Sequence, residues 1–272
     1  YVKSGKPALI FDDPFPLAFI NGFGVTNAPR QSKGRSGGMG MMGHGGPPPE
    51  QKADGGRATR LTDALGIRWA HDSVAFDVNN PHPEFGMLPP EYVFVTRDGN
   101  SDAFSTENPI TKGLQEVITI YSGTVAKGFN ADNDLNFEPL ITTTSESGIL
   151  RWEEFVDEGG FNFFSMTPTV NPRRNPFRRM DSNSHVLAAQ VKSDKEDSKV
   201  NAIFVSDIDM ISDFFFEERN LGNLDLEFDN VTFVLNAVDS LAGDDSFVEL
   251  RSRRARHRTL KRVEAQKRVF LE

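Results

Sequence analysis

Two spacings of apolar residues alternate along this chain, one suited to strands and one to helices. Residues 7 to 11 (PALIF) form a short unbroken apolar run that stops at Asp12-Asp13-Pro14. Such a run reads as a buried strand ended by a turn. Tyr92 to Thr96 (YVFVT) and Val117 to Tyr121 (VITIY) are β-branched and aromatic, hence strands, with NPITKG (residues 108 to 113) as a turn between them. His185 to Val191 (HVLAAQV) and Val200 to Val205 (VNAIFV) repeat the pattern, joined by the charged turn KSDKEDSK. The spacing changes over residues 230 to 242, NVTFVLNAVDSLA, where Val231, Val234, Leu235, Val238, Leu241 and Ala242 make one helical stripe. Asp229 is a natural N-cap for that helix and Gly243 a natural stop. Arg60 to Leu65, closed by Gly66, predicts a second helix and Arg151 to Asp157 a short third, while residues 171 to 184 read as a loop.

Strands apolar throughout, mixed with helices, predict an α/β layered domain. The expectation is one domain over residues 1 to 250, with a mixed or mainly parallel sheet flanked by helices. Two segments depart from it. From Ser32 to Gly56 the composition collapses toward Gly, Met, Pro and Gln, which cannot bury enough apolar surface to order itself and predicts a flexible surface insertion. Met39, Met41, Met42 and His44 within it are soft Cu(I)-type ligands, but the linker composition favours a plain loop. Residues 251 to 272 form a basic connector whose last part, TLKRVEAQKRVFLE, lacks Gly and Pro and predicts a helix. Leu260, Val263, Lys267 and Phe270 give that helix only a thin stripe.

Charge sharpens the division. The connector holds nine Lys or Arg and two Glu, a net +7, so the first 250 residues of this chain of net charge −9 carry −16. An acidic body argues against a nucleic-acid surface, and RSRRARHR (residues 251 to 258) reads as a solvated helix entry or juxtamembrane segment. The 23 Phe against 3 Tyr and 2 Trp point to a core built on phenyl rings. With no Cys, disulfides, thiolate metal sites and a Cys nucleophile are excluded. No apolar run approaches the roughly 18 residues of a spanning helix. The opening YVKSGKPALIF, without Met, is expected of a piece of a longer protein.

Most catalytic motifs are missing. There is no G-x-S-x-G, no Walker A loop and no G-x-G-x-x-G after a strand, and His44, His71, His82, His185 and His257 show no metal spacing. Carboxylates remain, at two strand ends: Asp12 and Asp13 after PALIF, and Asp207 and Asp209 in FVSDIDMISDFF, which also holds Asp213. Ligands of α/β sheets bind at the C-terminal strand edges, so Asp12, Asp13, Asp207 and Asp209 are the candidate ligand-binding residues, for a hard cation or sugar hydroxyls. The competing reading is that they end strands, cap turns and accept backbone N–H bonds, and it is the favoured one. No catalytic residue, metal or cofactor is assigned.

The order of KPALIFDDP, NPITKGLQEVITIYSG, FEPLITTTSESG, HVLAAQV, NAIFVSDIDMISD and NVTFVLNAVDSLAGDDSFVELRSR resembles the soluble domain of gliding-motility-type ABC transporter auxiliary proteins (the GldG-like family). The likeness covers most of residues 6 to 258 outside the insertion. It rests on the Ser206-Asp207 turn after a strand, the Asn-Ala-Val-Asp-x-Leu-Ala-Gly helix end at residues 236 to 243 and the P-I-T-x-G turn at 109 to 113. It implies a fold resembling amidotransferase-like (flavodoxin-like) domains without their catalytic Cys. It also implies a non-enzymatic role beside the permease and ATP-binding subunits of an ABC-2-type exporter, binding a partner subunit or exported substrate. A glycan- or ligand-binding module built on the strand-end aspartates is the alternative. The implied location is extracytoplasmic (periplasmic), tethered by membrane helices outside this sequence, with a homo-oligomer as a further option. The basic connector runs against that topology, since positive charge beside a membrane helix favours the cytoplasmic side.

Overall fold

The computed structural model describes residues 1–17, 58–79, 85–97, 100–129, 131–132, 134–157, 169–170, 176–193, 195, 199–221, 228–244 and 246–251. The Ser32 to Gly56 insertion and residues 252 to 272 lie outside them. In chain order the elements are β1 (Ala8–Phe11), α1 (Thr59–Leu65), β2 (Ile67–Trp69), β3 (Ser73–Asp77), β4 (Tyr92–Thr96), β5 (Glu116–Ile120), β6 (Val125–Lys127), β7 (Asn136–Thr142) and β8 (Ser147–Arg151). They continue with α2 (Trp152–Phe155), β9 (Val156–Asp157), β10 (Thr169–Val170), β11 (Val186–Ser193), β12 (Val200–Val205), a 3-10 turn (Asp209–Ile211), α3 (Asp213–Leu221), α4 (Asn230–Ala242) and α5 (Ser246–Arg251). Among the described residues no helix is long and apolar enough to cross a membrane.

The main sheet has the order β1-β12-β11-β7. β1 runs parallel to β12, with Phe11 opposite Val205, and β12, β11 and β7 are antiparallel in succession. The expected mixed sheet is therefore present, and a mainly parallel one is not. Apart from β1–β12 and a bridge at Ser4–Lys199, the pairings of the described strands are antiparallel, including β2–β6, β3–β8 and β4–β5. Between β11 and β12 the reason is connection length, since parallel neighbours need a long crossover and the short segment from Ser193 to Val200 allows only a reversal.

Period-two alternation places the core on both faces of this sheet. From β12, Ile203 and Val205 join Phe233 and Ala237 of α4 and Val93, Val95 and Val117 of β4 and β5. Ala202 and Phe204 point the other way, to Leu65 of α1, Ile67 and Trp69 of β2 and Val125 of β6. β12 is buried on both sides because both are covered, which is why Ala202 to Val205 read as an unbroken apolar run. A third cluster is aromatic, with Phe15, Phe76, Tyr121, Trp152 and Phe155 beside the exit of β1.

The helix over residues 230 to 242 forms with the expected bounds, and Gly243 ends it at φ 78, a left-handed conformation that favours glycine. Gly66 ends α1 in the same way at φ 61. The N-cap role expected of Asp229 is not what the structure shows. Its side chain makes no cap bond to α4. Instead Asp229 Oδ2 accepts the N–H groups of Gln115 and Glu116, at 2.7 and 3.3 Å. The cause is the edge of β5. Backbone groups of residues 116, 118 and 120 on the side away from β4 need partners, and a nearby carboxylate serves them.

Candidate functional site

The site grows from that edge. Beyond Asp229, Asn230 exchanges two bonds with β5: Ile118 N–H donates to its Oδ1 at 3.0 Å, and its Nδ2 donates to Ile118 O at 2.8 Å. One step further along, Ile120 N–H donates to Asp207 Oδ2 at 2.6 Å. Three polar side chains thus stand where a further strand would pair. Asp207 belongs to this row because the parallel pairing of β1 and β12 ends at Phe11 and Val205, so both chains leave the sheet at the same edge. Ser206 fixes the exit of β12, its Oγ donating to Leu187 O at 2.6 Å and Gly123 O at 2.8 Å.

At this edge Asp13, Asp207 and Asp209 converge, with one carboxylate oxygen of each within 4.8 Å of the others. All three are buried, Asp207 and Asp209 completely. Asp13 accepts the N–H of Phe15 at 2.6 Å and of Ile208 at 3.0 Å on its two oxygens. Asp207 takes Asp209 N–H on Oδ1 at 2.7 Å, and Asp209 Oδ2 takes Leu17 N–H at 2.9 Å. Asp12 stands apart: it is half-buried, and its Oδ1 accepts the N–H of Asp13 at 3.0 Å. Of the four candidates, the fold brings three together and leaves Asp12 at the rim. Asp213 begins α3 and is exposed.

The electrostatics follow from this crowding. Burial, then the charges of Asp207 and Asp209, push the Asp13 carboxyl well above the usual carboxylate range. Burial and the charge of Asp209 do the same to Asp207. The Asp13 and Asp207 carboxyls lie close enough for the protonation of each to influence the other. Tyr92 lies near enough for Asp209 to add to the effect of burial in raising its phenol.

Chemically the cluster offers hard oxygen donors of the type Ca²⁺ and Mg²⁺ take. Both oxygens of Asp13, both of Asp207 and one of Asp209, however, already accept backbone N–H bonds from segments around residues 15, 17, 120 and 208. The geometry is that of a clasp tying the exits of β1 and β12 to the end of β5.

Two groups beside the clasp escaped the sequence reading. Glu91, buried just before β4, takes both arms of Arg178 from the loop at 176 to 185, with Nε to Oε1 at 2.8 Å and Nη2 to Oε2 at 3.1 Å. Tyr121, read above as the last strand residue, has φ 51, outside β5, and is buried against Phe15, Phe155 and Tyr92. The only signal was Ser122-Gly123, a turn dipeptide directly after it. Of the histidines, His185 pairs with Asp181 and His71 lies beside Trp69, while His44, His82 and His257, like Met39, Met41 and Met42, are outside the described residues.

No curated protein and no solved structure matches the chain. A family model described as an ABC-type uncharacterized transport system, of the auxiliary kind, matches residues 1–237, from β1 through the clasp and into α4. This chain therefore belongs to the auxiliary family of ABC-type transport systems.

Proposed function

We propose that this chain is the extracytoplasmic part of an auxiliary component of an ABC-2-type exporter of the gliding-motility type. It works without catalysis, binding a partner subunit or the exported substrate next to the permease and ATP-binding subunits. Membrane helices outside this sequence tether it. The observation that carries the reading is the family match over residues 1–237. Two features support a binding rather than a catalytic role. The carboxyls of Asp13, Asp207 and Asp209 are turned inward onto backbone N–H groups, and burial pushes the titration of Asp13 and Asp207 upward. We read the sheet as a relative of amidotransferase-like (flavodoxin-like) domains. The parallel β1–β12 pair with acidic residues at its C-terminal edge supports this.

A second reading, a glycan- or ligand-binding module, draws on the convergence of Asp13, Asp207 and Asp209. Burial of all three disfavours it, since sugar hydroxyls reach them only if the clasp opens.

Two experiments test the first reading. The intact protein, co-expressed with the permease and ATP-binding subunits of its transport system, is expected to co-purify with them in mild detergent. Elution alone, even after crosslinking, overturns the partnership. Because these 272 residues hold no Cys, Met87→Cys places a reporter thiol at a 98% exposed position of the domain, with the unsubstituted protein as the labelling control. A membrane-impermeant maleimide is expected to label it in intact cells, after the outer membrane is permeabilised where there is one. Labelling only after complete lysis places the domain on the cytoplasmic side.

A further inference from the structure

Residues 176 to 185 cross the molecule without helix or strand, and polar contacts hold them at both ends. At one end is the Glu91–Arg178 pair, whose side chains are 2% and 21% exposed. At the other, Asp181 N–H donates to Ser147 O at 3.1 Å, Ser147 Oγ donates to Asn183 O at 2.9 Å, and His185 N–H donates to Thr143 Oγ1 at 2.8 Å. Between them the carbonyl of Arg179 presses on Gly148, where an added Cβ would lie 2.5 Å from it. The large apolar side chains of this stretch contribute little. Phe177 is 83% exposed and Met180 50%. One ion pair and a few polar bonds therefore do most of the docking.

The pair sits over the aromatic wall of the clasp. Glu91 O accepts the N–H of Tyr121 at 2.9 Å, and Arg178 lies close enough to Tyr121 to influence its phenol. Tyr121 packs on Phe15 with ring centroids 5.2 Å apart, and Phe15 N–H is bonded to Asp13. The contacts run without a gap from Arg178 through Glu91, Tyr121 and Phe15 to Asp13. Positive φ at a residue as bulky as Tyr121 is strained and persists only while its surroundings impose it.

We propose that residues 176 to 185 are a strap latched by Glu91–Arg178, and that release of this latch opens the aromatic wall around Tyr121 in front of the acidic clasp. Segments with few apolar contacts open before the rest of a fold. Loss of Arg178 leaves Glu91 as a buried charge without its partner, which favours local opening.

Limited trypsin digestion of the full chain, with cut sites identified by mass, tests the proposal. In the wild type, cutting after Arg178 and Arg179 is expected to be slow. In Glu91→Gln it rises by roughly tenfold or more, while cutting after Lys112 and Lys127 stays at the wild-type rate. Arg178→Lys, which keeps the charge but loses the two-pronged geometry, falls between. In a Trp69→Phe background, Trp152 reports on the wall it shares with Phe15 and Phe155. Its quenching by acrylamide is expected to rise with strap release. An unchanged rate at Arg178 and Arg179 in Glu91→Gln overturns the latch. So does a rise shared equally by Lys112 and Lys127, because the strap then opens only with the whole fold. Faster cutting with unchanged quenching overturns the link to the wall.

Discussion

The clasp makes a prediction about pH that runs against the usual behaviour of carboxylates. The Asp13 and Asp207 carboxyls titrate at higher pH in the folded state than the 3.8 of the unfolded chain. Above that pH the folded state binds more protons than the unfolded one. The stability they contribute is complete below the unfolded value and falls as pH rises toward the raised folded value. Each retained proton is worth about 1.4 kcal/mol per pH unit across this window. Asp207→Asn isolates the effect. The amide keeps one acceptor for two donors, Ile120 N–H at 2.6 Å and Asp209 N–H at 2.7 Å. One buried N–H is left without a partner, at a cost of about 1–3 kcal/mol. The variant is thus expected to be less stable at pH 4.5. Because Asn does not ionise, its deficit should shrink as pH rises, by up to about 1.4 kcal/mol per unit for one proton.

Urea unfolding of both proteins from pH 4.5 to 8, followed by far-ultraviolet circular dichroism, gives the difference directly. Titrations elsewhere in the chain cancel between them. A deficit that stays constant, or widens with pH, would show that Asp207 is ionised in the folded protein and refute its raised titration.

Two further outcomes test the surroundings of the clasp. Asn230→Ala strands both the N–H and the C=O of Ile118 in a buried position and is expected to cost about 2–5 kcal/mol; a loss under 1 kcal/mol in urea unfolding refutes the strand-edge role. Gly148→Ala places a Cβ 2.5 Å from Arg179 O and 2.7 Å from the Phe76 ring, and is expected to lower stability by about 1–3 kcal/mol in the same assay, as overpacking does.

The sequence announced elements where one periodicity ran unopposed. PALIF, YVFVT, VITIY, VNAIFV and the stripe of residues 230 to 242 each match a strand or helix within a residue or two. The short strands β2, β3, β6 and β8 did not stand out. Three to five residues carry too little periodicity, and these strands are set by what they pair with rather than by their own pattern. The same limit applied to Asp229. Read locally, an Asp before an apolar stripe is a helix cap, but its partners lie 113 and 114 residues away at the start of β5, a distance no local pattern encodes.

The clasp shows where local reading succeeded and where it stopped. That aspartates after PALIF and NAIFV would share one edge followed from reading both as strands of an α/β sheet whose C-terminal ends line one crevice, and their parallel pairing places them there. Which of the four would turn inward did not follow. Asp12 and Asp13 are chemically identical neighbours, and only the change of direction at Pro14 separates a rim carboxylate from a buried one. Burial then changes the chemistry. In water, four aspartates are four negative charges suited to a cation or a sugar. Three of them, Asp13, Asp207 and Asp209, pack with a carboxylate oxygen of each within 4.8 Å of the others and become hydrogen-bonded anchors for backbone N–H groups. The three buried aspartates thus serve as internal polar partners for strand ends, and that use accounts for their burial.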